Sequence, residues 1–310
     1  MDRERLLAQI VHTDWRWLTL TILLGPAGLI ARARRWRYLF PPGSNPPGIV
    51  PGMMIGYMVN NVLPLRAGEL VRVYVVARRW GGRFWTATAT LIVERVLDSL
   101  CIVLILGALI LLVPHRMPGY VEATAVVMLV IDIIGVAVLI TIVVAPDRGR
   151  QLMSRLLGRW PTVAARANRI FEMFVEGLDG IRTPSHLIPL TAWTIVIWLI
   201  PALAAWTALR AVGLDLPWLA GWVILAFVGL GVSIPSAPGY VGVFHFAAVK
   251  AVEIFGVPET AGLGYALVFH ASQFIPVTVL GWIYLLREQM TIGEAARVSA
   301  EQRPTSPPSP

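Results

Sequence analysis

Seven apolar runs constrain this chain more than any other feature. They lie at residues 15–31, 48–63, 86–113, 123–145, 187–209, 218–234 and 261–286, joined by short polar or basic links. A helix needs about 20 mostly apolar residues to cross a bilayer. Lipid offers a backbone no hydrogen-bond partners, so runs of this kind read as helices that satisfy themselves. Charged residues make up 14% of the 310 and hydrophobic ones 56%, against about 25% charged in an ordinary soluble domain. That excludes a soluble enzyme, a secreted disulfide scaffold and a disordered chain. The expected fold is an all-α integral membrane protein, a polytopic helical bundle of about six to eight spans. Residues 1–298 form its single membrane domain.

The formal charge is +8, carried by 26 basic residues of which only Lys250 is a lysine. The arginines flank apolar runs. Anionic headgroups and the excess of positive charge in cytoplasmic loops therefore account for them, and nucleic acid does not. The single cysteine, Cys101, sits inside an apolar run and can form no disulfide within the chain. At the N-terminus Arg3, Arg5, Ala31 and Ala33 imitate a secretion signal. The first run, however, ends in Arg32, Arg34, Arg35 and Arg37, so it reads as a retained span with a basic stop.

Residues 148–182 differ from the rest. Leu152, Leu156, Trp160, Val163, Ala167, Ile170, Phe174, Leu178 and Ile181 recur every three or four residues, with arginines and carboxylates between them. This is a helix with one apolar stripe, broken near Pro161, that lies on the membrane surface or packs as a linker. Its arginine density marks the cytoplasmic side. It separates a first half, about 15–145, from a second, about 187–287. The tail at 299–310, with four prolines, reads as disordered. Putting the basic stretches 32–37, 66–83 and 148–182 on one side requires the run at 48–63 to enter and return.

Two places break the apolar pattern in matching ways. Pro64-Leu65-Arg66-Ala67-Gly68 follows the second run, and Pro235-Ser236-Ala237-Pro238-Gly239 follows the sixth. At the same offset Arg79 meets Lys250. Short hydrophobic segments broken by Gly and Pro at corresponding positions of two halves point to a transporter's binding site. Broken helices expose backbone groups that only protein, water or a polar substrate can satisfy. Ordinary loops with turn residues are the bland alternative.

Charged groups also stand where lipid is expected. Glu69 and Arg72 share a helix face just after the first break. Glu94, Arg95 and Asp98 open a long span, either as a buried network or as an interfacial anchor. Asp132 lies ten residues into the run at 123–145, where an unpaired Asp costs roughly 3 kcal/mol. A structural partner such as Arg95 is the first reading, and proton coupling the second. His245 follows the second break, and His270 lies inside the last span with Gln273 one turn on. Both read first as packing residues, with His270 a further candidate for proton coupling. No spacing matches a zinc site, a nucleotide-binding glycine loop or a nucleophile elbow, so no cofactor and no catalytic group is expected.

The stretch from Asn60-Asn61-Val62-Leu63-Pro64 to Gly68-Glu69-Leu70-Val71-Arg72, followed by Glu94-Arg95-Val96-Leu97-Asp98, resembles the first-half signature of the lysylphosphatidylglycerol synthase transmembrane-region family, also called flippase-like domain proteins. Pro235 to Phe244, with Gly256-Val257-Pro258, resembles the second-half signature. The resemblance covers about residues 15–287. It implies a bacterial-type inner-membrane protein with a re-entrant segment in each half. In multidomain members this region is associated with moving an aminoacylated phospholipid between leaflets, while a separate soluble domain makes that lipid. Only a short tail follows Arg287, so lysyltransferase activity is not expected of this chain. By family position Asn61, Arg66, Glu69, Arg72, Glu94, Arg95 and Asp98 form the polar lining, with Pro238, Gly239 and His245 at the second motif. Arg66, Arg72 and Arg95 would hold a phosphate. The chain departs from the family at Tyr240, where a second glycine is usual, and at His245, where a Glu is frequent.

The expected function is translocation of a phospholipid or lipid-linked glycan, its headgroup passing through a polar cavity between two pseudo-repeats. The partner is then an anionic or glycosylated membrane lipid. The rival reading is a membrane scaffold that recruits a cytoplasmic synthase or glycosyltransferase through residues 148–182. A membrane-embedded transferase is a third, and it lacks a visible nucleophile.

Overall fold

A computed structural model describes residues 13–64, 66–112, 119–157, 159–233, 237–291 and 293–294. The tail at 299–310, and Pro235 and Ser236 of the second motif, lie outside the described residues. Every regular element among those residues is helical.

Helix α1 (Trp15–Arg37) starts where the Asp14 carboxylate accepts the Arg16 amide at 2.8 Å, an N-cap that satisfies a donor left over at the helix start. It stops ahead of Pro41-Pro42 and Pro46-Pro47, a segment that cannot continue a helix. Helix α2 (Ile49–Val62) has 14 residues, about 21 Å at 1.5 Å per residue, which is too short to cross. It ends before Pro64, and α3 (Gly68–Arg79) runs back along it. The two helices touch at Gly56 and Gly68, where a side-chain carbon on Gly68 would collide with the Gly56 carbonyl. The run at 48–63 therefore enters and returns.

Helix α4 (Phe84–Leu112) then crosses, and α5 (Gly119–Val144) crosses back beside it. Helix α5 is the most apolar of the long helices, with mean hydropathy 3.0 and most of its side chains turned outward, as a helix facing lipid requires. The striped segment forms α6 (Pro146–Leu157), α7 (Pro161–Gly177) and the single turn α8 (Asp179–Arg182), broken ahead of Pro161 as its sequence implies. Helix α7 packs on α4 through Gly177 against Thr86, while Leu156, Trp160 and Val163 stay exposed.

The second half repeats the plan: α9 (Pro184–Ala211) crosses, α10 (Trp218–Ser233) enters, a 3₁₀ turn (Pro238–Tyr240) forms its tip, α11 (Val243–Glu253) returns, and α12 (Glu259–Arg287) crosses. The run at 218–234, expected as a span, is thus the entering arm of a second hairpin. Gly231 lets α11 approach α10 closely at Val243 and Ala247.

The halves are related by inversion. Helices α1 and α9 pack antiparallel, with the Asp14 amide donating to Ala211 O at 2.8 Å and His186 Nδ1 lying 2.9 Å from Tyr38 O at the other end. Between these ends the Thr21 and Thr207 hydroxyls bond at 2.9 Å. Following the chain from there, the first hairpin opens toward the end carrying Arg37, Arg79, Arg83 and α6–α7, and the second opens toward the end carrying Asp14 and Ala211. Each hairpin lies against the other half's long helix: α2 on α12 at Gly281, and α10 on α4 at Ile102 and Gly229. Among the described residues four helices are long and apolar enough to cross by themselves. With α1 and the two hairpins they make up a polytopic bundle with re-entrant segments in pseudo-repeats.

Candidate functional site

The two hairpin tips meet inside the bundle. Arg66, held at φ 53 in the first tip, donates from Nη2 to Val232 O of α10 at 2.7 Å. Gly239, at φ 66 in the second tip, packs against Asn61 O and the Phe274 ring, where a larger residue would not fit. Asn60 Oδ1 accepts the Gly68 amide at 2.8 Å, and Asn61 Nδ2 donates to Thr278 Oγ1 at 2.8 Å. Of the Asn-Asn pair that precedes Pro64, Asn60 thus closes the first broken backbone and Asn61 ties the first hairpin to α12.

Beside the tips lies a cavity of about 650 Å³. Its polar wall comes from α1, the first hairpin and α4, through Arg32, Asn60, Arg66, Glu69, Arg72, Arg95 and Asp98. Its apolar wall comes from α4, α5, α9 and α10, through Ile102, Met128, Ile131, Trp198, Leu225 and Val228. Ile131 in this wall is 60% exposed, so the cavity opens beside α5, the most apolar of the long helices.

The polar wall is one ion-pair network. Glu94 is fully buried and takes Arg72 Nη1 at 3.1 Å, Arg95 Nη2 at 2.5 Å and Arg35 Nη2 at 3.6 Å. Asp98 pairs with Arg35 at 2.6 Å, Arg95 at 3.0 Å and Arg32 at 3.5 Å. Glu69 joins Arg95 at 3.6 Å and Arg66 at 3.9 Å. Arg72 also lies over the Trp36 ring, 4.9 Å from its centroid, and Trp36 Nε1 donates to Thr90 Oγ1 at 2.9 Å. Charges removed from water this way persist only when mutually paired. The residues Glu94, Arg95 and Asp98 are therefore a buried network and not an interfacial anchor.

Six of the seven residues expected to form the polar lining join this network: Arg66, Glu69, Arg72, Glu94, Arg95 and Asp98. Asn61 lines the cavity without an ion pair. Arg32 and Arg35 are the addition. They had read as part of a basic stop, yet both turn inward, while Arg34 and Arg37 face outward. The available signal was spacing: residues three apart share a helix face, and Glu94 and Asp98 offer a matching face.

The second-motif residues gather elsewhere. Pro238 is exposed, and Gly239 forms the tip. His245 Nδ1 accepts the Gly242 amide at 3.3 Å, and His270 Nε2 lies 2.9 Å from Gly239 O, with the two imidazoles 4.8 Å apart and edge-on. Both histidines brace the second tip, and Tyr240 is the residue of that turn that reaches the cavity. Asp132 is buried, one turn before Gly135, which packs toward Val96 of α4. The suggested ion pair with Arg95 does not form among the described residues, and Asp132 Oδ2 has no hydrogen-bond partner there. No group of three or more metal-ligating side chains occurs among the described residues.

The inverted halves are unequal in charge. Counting from Pro64 and Pro235, Arg66, Glu69 and Arg72 stand against Ala237, Tyr240 and Val243. Helix α12 carries no Asp, Glu, Lys or Arg between Glu259 and Arg287. Every member of the ion-pair network thus belongs to the first half.

Against known proteins, a family model described as Lysylphosphatidylglycerol synthase TM region matches residues 1–281. A Haloferax volcanii protein named glycosyltransferase AglD is 25% identical over 282 aligned residues, covering 79% of this chain and 44% of that protein. The chain therefore spans less than half the length of this relative. No solved structure matches.

Proposed function

The chain belongs to the lysylphosphatidylglycerol synthase TM region family, and we propose that it moves a phospholipid or lipid-linked glycan between membrane leaflets. One observation carries this reading: a polar cavity at the meeting point of two inverted hairpins opens at Ile131 beside α5, the most apolar of the long helices. A soluble solute needs no sideways opening. A lipid does, because its headgroup must leave lipid while its tails stay there.

Inverted repeats with binding at mid-membrane support alternating exposure of the site. In this scheme Arg32, Arg66 and Arg95 hold the phosphate, and Glu69 and Asp98 keep those guanidinium groups oriented. The protein acts as a transporter and not as an enzyme. The glycosyltransferase name belongs to a relative more than twice as long as the matched part. The basic end, with α6–α7, faces the cytoplasm of a bacterial-type inner membrane.

The test uses purified protein in liposomes carrying a phospholipid with a fluorescent anionic headgroup and an impermeant quencher. Wild type should speed exchange between leaflets well above empty liposomes, and Arg95→Ala should abolish the gain while the protein stays folded. Exchange no faster than in empty liposomes, with several anionic and glycosylated lipids, would overturn the reading. A scaffold would instead tolerate Arg95→Ala and lose a bound partner on substitution at Trp160 or Phe174.

A further inference from the structure

The charge balance of the network names a substrate class, and the inference rests on the lipid reading above. Five guanidinium groups, from Arg32, Arg35, Arg66, Arg72 and Arg95, meet three carboxylates, from Glu69, Glu94 and Asp98. Two positive charges are left over. Asp132, the buried carboxylate on the neighbouring wall helix, makes no ion pair with the network among the described residues. The second half of the repeat offers no carboxylate to the cavity.

An excess of this size is costly away from water unless an anion joins it. Donors for that anion stand in the cavity wall and just behind it. Arg72 is 2% exposed and lines the cavity, and its Nε and Nη2 have no hydrogen-bond partner among the described residues. Arg32, Arg66 and Arg95 form the cavity side of the same cluster and stay partly accessible, with 18 to 38% of their side chains exposed.

We propose that the site selects a doubly charged phosphate headgroup, a phosphate monoester or a diphosphate, over the singly charged diester of ordinary phospholipids. A phosphodiester neutralises half the excess, whereas a monoester brings about two negative charges and a diphosphate about two or more, enough to neutralise it all. A phosphate monoester carries about −1.5 to −2 at neutral pH, its second ionisation lying near 6. Guanidinium groups suit this ligand because several can share one phosphate through paired N–H donors.

The experiment measures binding to purified protein in zwitterionic nanodiscs at neutral pH, with four probes: phosphatidic acid, a polyprenyl diphosphate, phosphatidylglycerol and free inorganic diphosphate. The first two should bind about tenfold or more tightly than phosphatidylglycerol, since one further charge within a few Å is worth at least that at a protein-like dielectric. Arg32→Gln should reduce that preference several-fold and Glu69→Gln should raise it. Arg34→Gln, the same charge change on an exposed neighbour, should leave it unmoved. Equal binding of phosphatidylglycerol and phosphatidic acid would overturn the charge selection and leave lipid handling standing. Inorganic diphosphate binding as tightly as its lipid form would keep the charge selection and overturn the lipid reading. Failure of all four probes would overturn both.

Discussion

Glu94 is the residue on which the network turns. It is fully buried and sits between Arg35, Arg72 and Arg95, so its removal strands Arg72 in a low-dielectric interior, while Arg35 keeps Asp98. Breaking a buried ion pair from one side costs about 3–5 kcal/mol. Glu94→Gln should therefore destabilise the detergent-solubilised protein strongly, read as a fall in its thermal unfolding temperature. Glu69→Gln at the cavity mouth should have a small effect in the same assay. The residue scale is also where the sequence was most informative and most misleading. The motif from Asn60 to Arg72, with Glu94, Arg95 and Asp98, gave most of the polar wall because charges inside apolar runs have few innocent explanations. Arg32 and Arg35 escaped because a basic cluster at the end of a span already has an explanation. Only the burial of that face against Glu94 and Asp98 separates them from Arg34 and Arg37.

At the scale of elements, the two hairpins organise the molecule. The first depends on the approach of α2 and α3 at Gly56 and Gly68, where even a methyl group meets backbone. Overpacking of this kind costs about 1–3 kcal/mol, occasionally more. Gly68→Ala should splay the hairpin, and the loss should appear as reduced lipid exchange alongside a lower unfolding temperature. Gly107→Ala, on α4 with open space around it, should change neither. Proline, glycine and length made the return of the run at 48–63 legible. The run at 218–234 looked like a span because its 16-residue helix is followed by further moderately apolar sequence. Periodicity carries no information about whether a chain exits or turns back. That choice is made by packing α10 and α11 against α4 and α12, which are distant in sequence.

The whole molecule places Arg83, α6–α7 and Glu288 at one end, where Arg79 pairs with Glu288 at 2.8 Å and Arg83 with Glu176 at 2.5 Å. Asp215, paired with Arg210, lies at the other. In a background with Cys101 replaced by Ser, single cysteines at Arg83 and Arg150 should react with an impermeant thiol reagent only from the cytoplasmic face. A cysteine at Asp215 should react only from the opposite face. Labelling of Arg83→Cys and Asp215→Cys from the same side would contradict the inverted arrangement. Of the basic stretches at 32–37, 66–83 and 148–182, Arg37, Arg79, Arg83 and α6–α7 lie at one end, whereas Arg32, Arg35, Arg66 and Arg72 belong to the tip and the ion-pair network. What no composition reveals is the contact between tips, because Arg66 and Val232 come from hairpins that enter from opposite sides.

An inverted repeat carries the geometry of a second conformation, the mirror of the first, in which the halves exchange roles. When the halves are chemically alike the two conformations have similar free energies. Here they are not alike, because all eight charges of the network lie on α1, α3, α4 and the first tip, facing an apolar partner half. The mirrored arrangement has no second network to replace the first, so the empty protein rests in one state. A ligand reverses such a bias only through its differential affinity for the two states, and moving a population from 1:99 to 99:1 takes about 5.5 kcal/mol. In the proposed translocation cycle the headgroup is then the switch as well as the cargo.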